Sequence, residues 1–225
     1  MQMDWAWSPL GISILWVVLH SADYLLTVAT ARTYARGDLR SRIDLGGKSL
    51  ELNPVFQRAV DRGAWASRRF LVSLVVVAGA LLAVFSILDA APADVSAPLR
   101  FAPELVAGVL VVTRLVVITG HAQNLALFRR MLRDPAAAGV LVRYDRGTIF
   151  MARRWSYAQP VALCALGLLL SGRPFFGGGA VGMLGLALAT SIWQRVEARR
   201  GGAEQAAAAR PAPEDASGSG APRQS

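Results

Sequence analysis

Long apolar runs alternate along this chain with short arginine-rich stretches, and the length of the runs decides its class. A helix rising about 1.5 Å per residue needs roughly 20 mainly apolar residues to cross the hydrocarbon core of a bilayer. Pro9 to Ala31 meets that length, with Trp5, Trp7 and Trp16 towards its outer half. Phe70 to Leu88 carries no charge, and Leu105 to Phe128 fits by length while enclosing Arg114, His121 and Asn124. Ser156 to Leu170 and Phe175 to Trp193 are shorter, and only Ser171-Gly172-Arg173-Pro174 divides them, which predicts a helical hairpin. The pattern therefore predicts an all-α integral membrane protein. Its fold is a five-helix transmembrane bundle with spans at about 9–31, 70–88, 105–128, 156–170 and 175–193. A shallow re-entrant hairpin is the alternative for the last pair, and it leaves the chain ending on the same side.

The segments between the runs carry their own patterns. Asn53 before Pro54 reads as a helix cap followed by proline at the first helical position. From Pro54 a short amphipathic helix is expected at the membrane surface, with Val55, Phe56, Ala59 and Val60 on one face and Gly63 as its stop. Alternation around Gly46-Gly47, and again around Asp145-Arg146-Gly147, predicts two small hairpins. From Gly201 to Ser225 the sequence is low in complexity and too poor in apolar residues to fold, so residues 1–200 form the helical domain and 201–225 a disordered cytoplasmic tail. The last span sets Gly178, Gly182, Gly185 and Ala189 on one face, a small-residue stripe for close helix packing within the subunit.

Charge orients the bundle. Nine arginines and lysines fall between the first and second runs, seven between the third and fourth, and five after the last. Facing the other side are only Arg100 and Arg173, beside Asp4, Asp89, Asp94 and Glu104. Basic residues collect on the cytoplasmic side, so the amino terminus is expected outside and the carboxyl terminus inside. A net charge of +9 would suggest nucleic acid in a soluble chain. Here it reads as orientation and attraction to anionic phospholipids, with no nucleic-acid partner. With 54% hydrophobic and 17% charged residues the chain is too apolar for an ordinary soluble domain. Met1 to Ser8 holds no positive charge, so the first run is expected to stay as a span rather than be cleaved as a leader. Cys164 stands alone in an apolar run and reads as a packing residue. All basic residues but Lys48 are arginine and alanine is abundant, which suggests the coding bias of a GC-rich bacterium; with the apolar spans this points to a bacterial inner membrane.

Candidate chemistry lies in the polar residues inside the runs. An ionisable group near the bilayer centre costs ~2.5–3.5 kcal/mol even on insertion scales, so it faces a partner or a cavity. Ser13, Trp16, His20, Asp23 and Thr27 form one stripe on the first span, and Arg114, His121 and Asn124 lie on the third. Both spans run inward, and counting rise from their midpoints brackets Asp23 in depth between Arg114 and His121. One carboxylate can then serve both if the helices are neighbours. Four readings are open. The cluster locks the bundle by neutralisation and hydrogen bonding; it is a proton or ion pathway; His20, Asp23 and His121, with Glu51, hold a divalent metal such as zinc; or Asp23 or Glu51 acts as a base on lipid headgroups held by arginines.

His20-Ser-Ala-Asp23-Tyr-Leu-Leu-Thr27-Val, followed by Glu51-Leu-Asn53-Pro54, resembles a family of small prokaryotic membrane proteins. Its members pair an Asp and a following Thr in the first span with Glu-x-Asn-Pro ahead of the second. The resemblance covers about the first third of the chain and carries no established activity. It implies that Asp23, Thr27, Glu51 and Asn53 belong together. The arginine-rich stretch from Arg32 to Ser49 departs from the short connection usual there.

No phosphate-binding glycine loop, GxSxG, HExxH or CxxC motif is present. The expected function is therefore an accessory or transport-type membrane protein with an intramembrane polar cluster. The alternative is a membrane enzyme acting on lipid headgroups at the cytoplasmic surface, metal-assisted or not. No inverted repeat is visible, so transport would require a homo-oligomer or a larger membrane complex.

Overall fold

A computed structural model of the chain describes residues 8–36, 39, 43–44, 54–134, 142–143 and 146–208. Helix dominates them. The first helix, α1 (Pro9–Ala35), starts where Ser8 Oγ accepts from the Gly11 amide and Pro9 fills a position that needs no donor. After it come α2 (Pro54–Asp61), α3 (Arg68–Ala90), a single turn at Ala93–Ser96, α4 (Ala102–Arg133), α5 (Arg146–Ser156), α6 (Ala158–Ser171) and α7 (Pro174–Ala208). Four of these helices, α1, α3, α4 and the Pro174–Val196 part of α7, are long and apolar enough to cross a membrane, the mark of a helical membrane protein.

The fifth expected span is shorter than that. Helix α6 has 14 residues, about 21 Å of rise against a hydrocarbon core of roughly 30 Å. Tyr157 breaks the helical run before it, and Gly172 at φ +63° turns the chain after it into α7.

The helices pack in a chain of neighbours: α3 on α1, α1 on α4, α4 on α7, α7 on α6. Their directions follow from the pairings. Ser13 Oγ reaches the Ala78 carbonyl while His20 meets Ser73, so α1 and α3 are antiparallel. Asp23 meets Arg114 and Thr30 Oγ1 donates to the His121 carbonyl, both at a separation of 91 residues, so α1 and α4 run parallel and in register. Leu105 backs onto Gly178 and Val109 onto Gly182, making α4 and α7 parallel; Cys164 against Gly179 and Gly167 against Phe176 make α6 antiparallel to α7.

Two apolar clusters close one end of the bundle. Tyr24, Val28, Ala31 and Phe70 enclose Val60 of α2, with Phe56 against them, while Tyr34, Leu39, Ile43 and Phe128 pack with Met131 and Ile149. Elsewhere apolar side chains face outward: Val75 and Ile87 are each 69% exposed, and Leu169 is 82% exposed. Apolar surface on that scale needs lipid or a partner to cover it.

Two expectations need correction. The hairpin placed at Asp145-Arg146-Gly147 does not form; Arg146 begins α5, whose Phe150 is buried. Val142–Arg143 instead pairs in parallel with Ile43–Asp44 from the earlier loop, which supplies a partner that local alternation cannot reveal. Helix α2 forms as expected, with Gly63 at φ +64° beyond its end; Ala59 and Val60 are buried, and Val55 beside them is 49% exposed. The last helix also runs past Gly201 to Ala208, carried by alanines of high helix propensity. Residues 209–225, the Gly46-Gly47 turn, Glu51 and Asn53 lie outside the described residues.

Candidate functional site

The stripe on α1 serves two neighbours. Residues 20 and 23 lie three apart, so they differ by about 60° around the helix. That offset turns His20 towards α3 and Asp23 towards α4. His20 Nε2 lies 3.0 Å from Ser73 Oγ, and its ring stacks on Trp16 with centroids 4.6 Å apart. Asp23 Oδ2 accepts from Arg114 Nη1 at 2.5 Å, and Oδ1 lies 3.6 Å from His121 Nε2. One carboxylate thus stands between a guanidinium and an imidazole. The guanidinium also lies over Trp16, 4.9 Å from the ring centroid, so that indole is held between Arg114 and His20. The Asp23 side chain is 12% exposed and Arg114 24%. In such a place the attraction of the pair offsets desolvation only while both partners remain.

The other expected residues divide. Thr27 bonds its own helix, donating to the Asp23 carbonyl at 2.8 Å. Half-buried Asn124 is not among the residues lining the cavity described below. The trio His20, Asp23 and His121 is not assembled as metal ligands. His20 is committed to Ser73 and Trp16 on the far side of the stripe, and among the described residues no three His, Cys, Asp or Glu side chains are grouped to hold an ion. Trp16 Nε1, His20 Nδ1 and His121 Nδ1 are buried without a hydrogen-bond partner among the described residues.

The cluster opens on a cavity. Helices α1 and α7 both lie along α4 but make little contact with each other, and between them is a space of about 370 Å³. His20, Asp23, Thr27, Arg114 and His121 line it from α1 and α4, and Gly182, Gly185, Ala189, Thr190 and Trp193 from α7. Phe56 of α2, Arg153 of α5 and Tyr157 complete the wall.

Sequence reasoning missed the α7 and α5 contributions. The small-residue stripe held part of the signal. Its first members, Gly178 and Gly182, press on α4: a Cβ on Gly178 would collide with the Leu105 carbonyl, as one on Gly108 would with that of Phe175. Gly185 has nothing within 4 Å of where its Cβ would stand, because there the same face looks into the cavity. Trp193 and Ala189 share that face, which the 3.6-residue period would have indicated. Arg153 gave no signal, being one basic residue among many in its loop.

Comparison with protein-family models, curated proteins and solved structures returns no match to this chain.

Proposed function

We propose that this is an integral protein of the cell membrane, of transport or accessory type, acting through the cavity between α1, α4 and α7. Five crossings are proposed, α1, α3, α4, α6 and α7, with the amino terminus outside and the carboxyl terminus in the cytoplasm. The alternating helix directions support that count, α6 included, and so does the partition of arginine and lysine. The observation that carries the functional reading is the Asp23–Arg114 pair, set midway along two span-length helices and facing a cavity rather than packed protein. A pair serving stability alone needs no space beside it, whereas ionisable groups on a cavity wall mark a path or a binding site. The bilayer and its anionic lipids are the surrounding partners, and a homo-oligomer or larger membrane complex supplies what five crossings lack as a transporter. The enzyme alternative needs Asp23 or Glu51 as a free base, and Asp23 is already paired with Arg114, while Glu51 lies outside the described residues.

Thiol accessibility in intact cells and inverted vesicles tests this directly. In a Cys164→Ser background, Gly185→Cys should react with a membrane-impermeant maleimide from the cytoplasmic side, and Gly79→Cys on α3, which has open surroundings, should not. Equal protection of both, or recovery of the chain in the soluble fraction, contradicts the proposal.

A further inference from the structure

Arg153 is the one cavity residue whose charge the cluster does not answer. Asp23 is matched by Arg114, and among the described residues no carboxylate pairs with Arg153. Its position is also unlike that of an ordinary loop arginine, which extends its charge into water. Arg154 next to it is exposed, but Arg153 is half-buried and turned onto α4. There its Nη1 lies 2.5 Å from where a Cβ on Gly120 would stand, so the absence of a side chain at 120 makes the room. A guanidinium drawn into a low-dielectric space is stabilised when an anion joins it. Its planar fork of donors matches an oxyanion.

The rest of the wall fits the body of such a ligand. Phe56, Val117, Leu186 and Trp193 offer apolar and aromatic surface. His20 and His121, each more than nine-tenths buried, line the same space, with their Nε2 atoms set against Ser73 Oγ and Asp23 Oδ1. At about 370 Å³ the cavity lies in the range of small-molecule sites. We infer that the cavity binds an amphipathic phosphate-type anion, its head held by Arg153 and its apolar part against Phe56, Leu186 and Trp193. The inference rests on the reading of the cavity as a membrane-embedded site and names its ligand class.

Calorimetric titration of the detergent-purified full chain tests it, with a short-chain phosphatidic acid, a short-chain phosphatidylcholine and inorganic phosphate as probes. Phosphatidic acid should bind. Arg153→Gln and the cavity-filling Gly185→Leu should each weaken it by about tenfold or more, Arg153→Lys by less, and Arg154→Gln should leave it unchanged. Inorganic phosphate binding with the same variant pattern, without phosphatidic acid, identifies a free anion as the ligand and keeps the anion site. If neither anion binds, if phosphatidylcholine binds equally, or if a folded Arg153→Gln or Gly185→Leu binds like the parent, the inference is overturned. Should Arg153→Gln not fold, Gly185→Leu decides. Failure of binding in a chain that still gives the thiol-accessibility pattern above removes the anion alone; failure of that pattern removes the membrane-site reading itself.

Discussion

At the scale of single residues, what each polar group touches sets its cost, more than its place in the stripe. Thr27 and Ser73 illustrate the difference. The Thr27 hydroxyl donates to the carbonyl four residues back in its own helix, an arrangement that helices tolerate losing. Ser73 bridges helices, facing His20 Nε2, whose other ring nitrogen is already unpartnered. Thermal unfolding in detergent should find Thr27→Val within about 0.5 kcal/mol of the parent. Ser73→Ala should lose about 1–3 kcal/mol, the cost of a second buried polar atom left unmet. A larger loss in Thr27→Val than in Ser73→Ala would refute that ordering. The sequence was informative here to the extent that periodicity reports direction: it grouped Ser13, Trp16, His20, Asp23 and Thr27, all of which are buried. It could not separate the margin facing α3 from that facing α4, because a 60° difference has meaning only once both neighbours are in place. The trio of metal ligands was lost for that reason.

Among the elements, the closest association is that of α4 with α7, and small residues make it possible. Backbone meets backbone at Gly108 and Gly178, the approach that packs helices where no hydrophobic driving force separates them from lipid. Gly178→Leu should therefore abolish recovery of monodisperse protein by size-exclusion chromatography. Gly79→Leu, on an open face of α3, should be recovered like the parent. Normal recovery of Gly178→Leu would mean that the two helices do not meet there. Hydropathy located the long helices well but placed their ends short. Apolar character stops where a bilayer would, whereas α4 continues to Arg133 and α7 to Ala208 on hydrogen bonding and propensity. The parallel pairing of Ile43–Asp44 with Val142–Arg143 lay beyond local reading, since its strands are about a hundred residues apart and two residues long. Arg153 was hidden among the other basic residues of its loop.

For the whole molecule, the claim on which the rest depends is that α1 and α4 run side by side in register, joined through Asp23 and Arg114 beside a cavity. The depth count spread Arg114 and His121 to either side of Asp23 and left open whether the helices are neighbours; the shared 91-residue separation sets Asp23 level with Arg114, and His121 reaches back towards it from further along α4. Side chains lean towards the start of a helix, which gives His121 that direction. The most direct test is a double-mutant cycle of Asp23→Asn and Arg114→Gln, read by unfolding of the purified protein in detergent. Each single change leaves the other charge buried and should lose about 3–5 kcal/mol. The double variant should regain at least ~2 kcal/mol relative to the sum of the two. Strict additivity of the two losses would contradict the account, because it would mean that the carboxylate and the guanidinium do not meet.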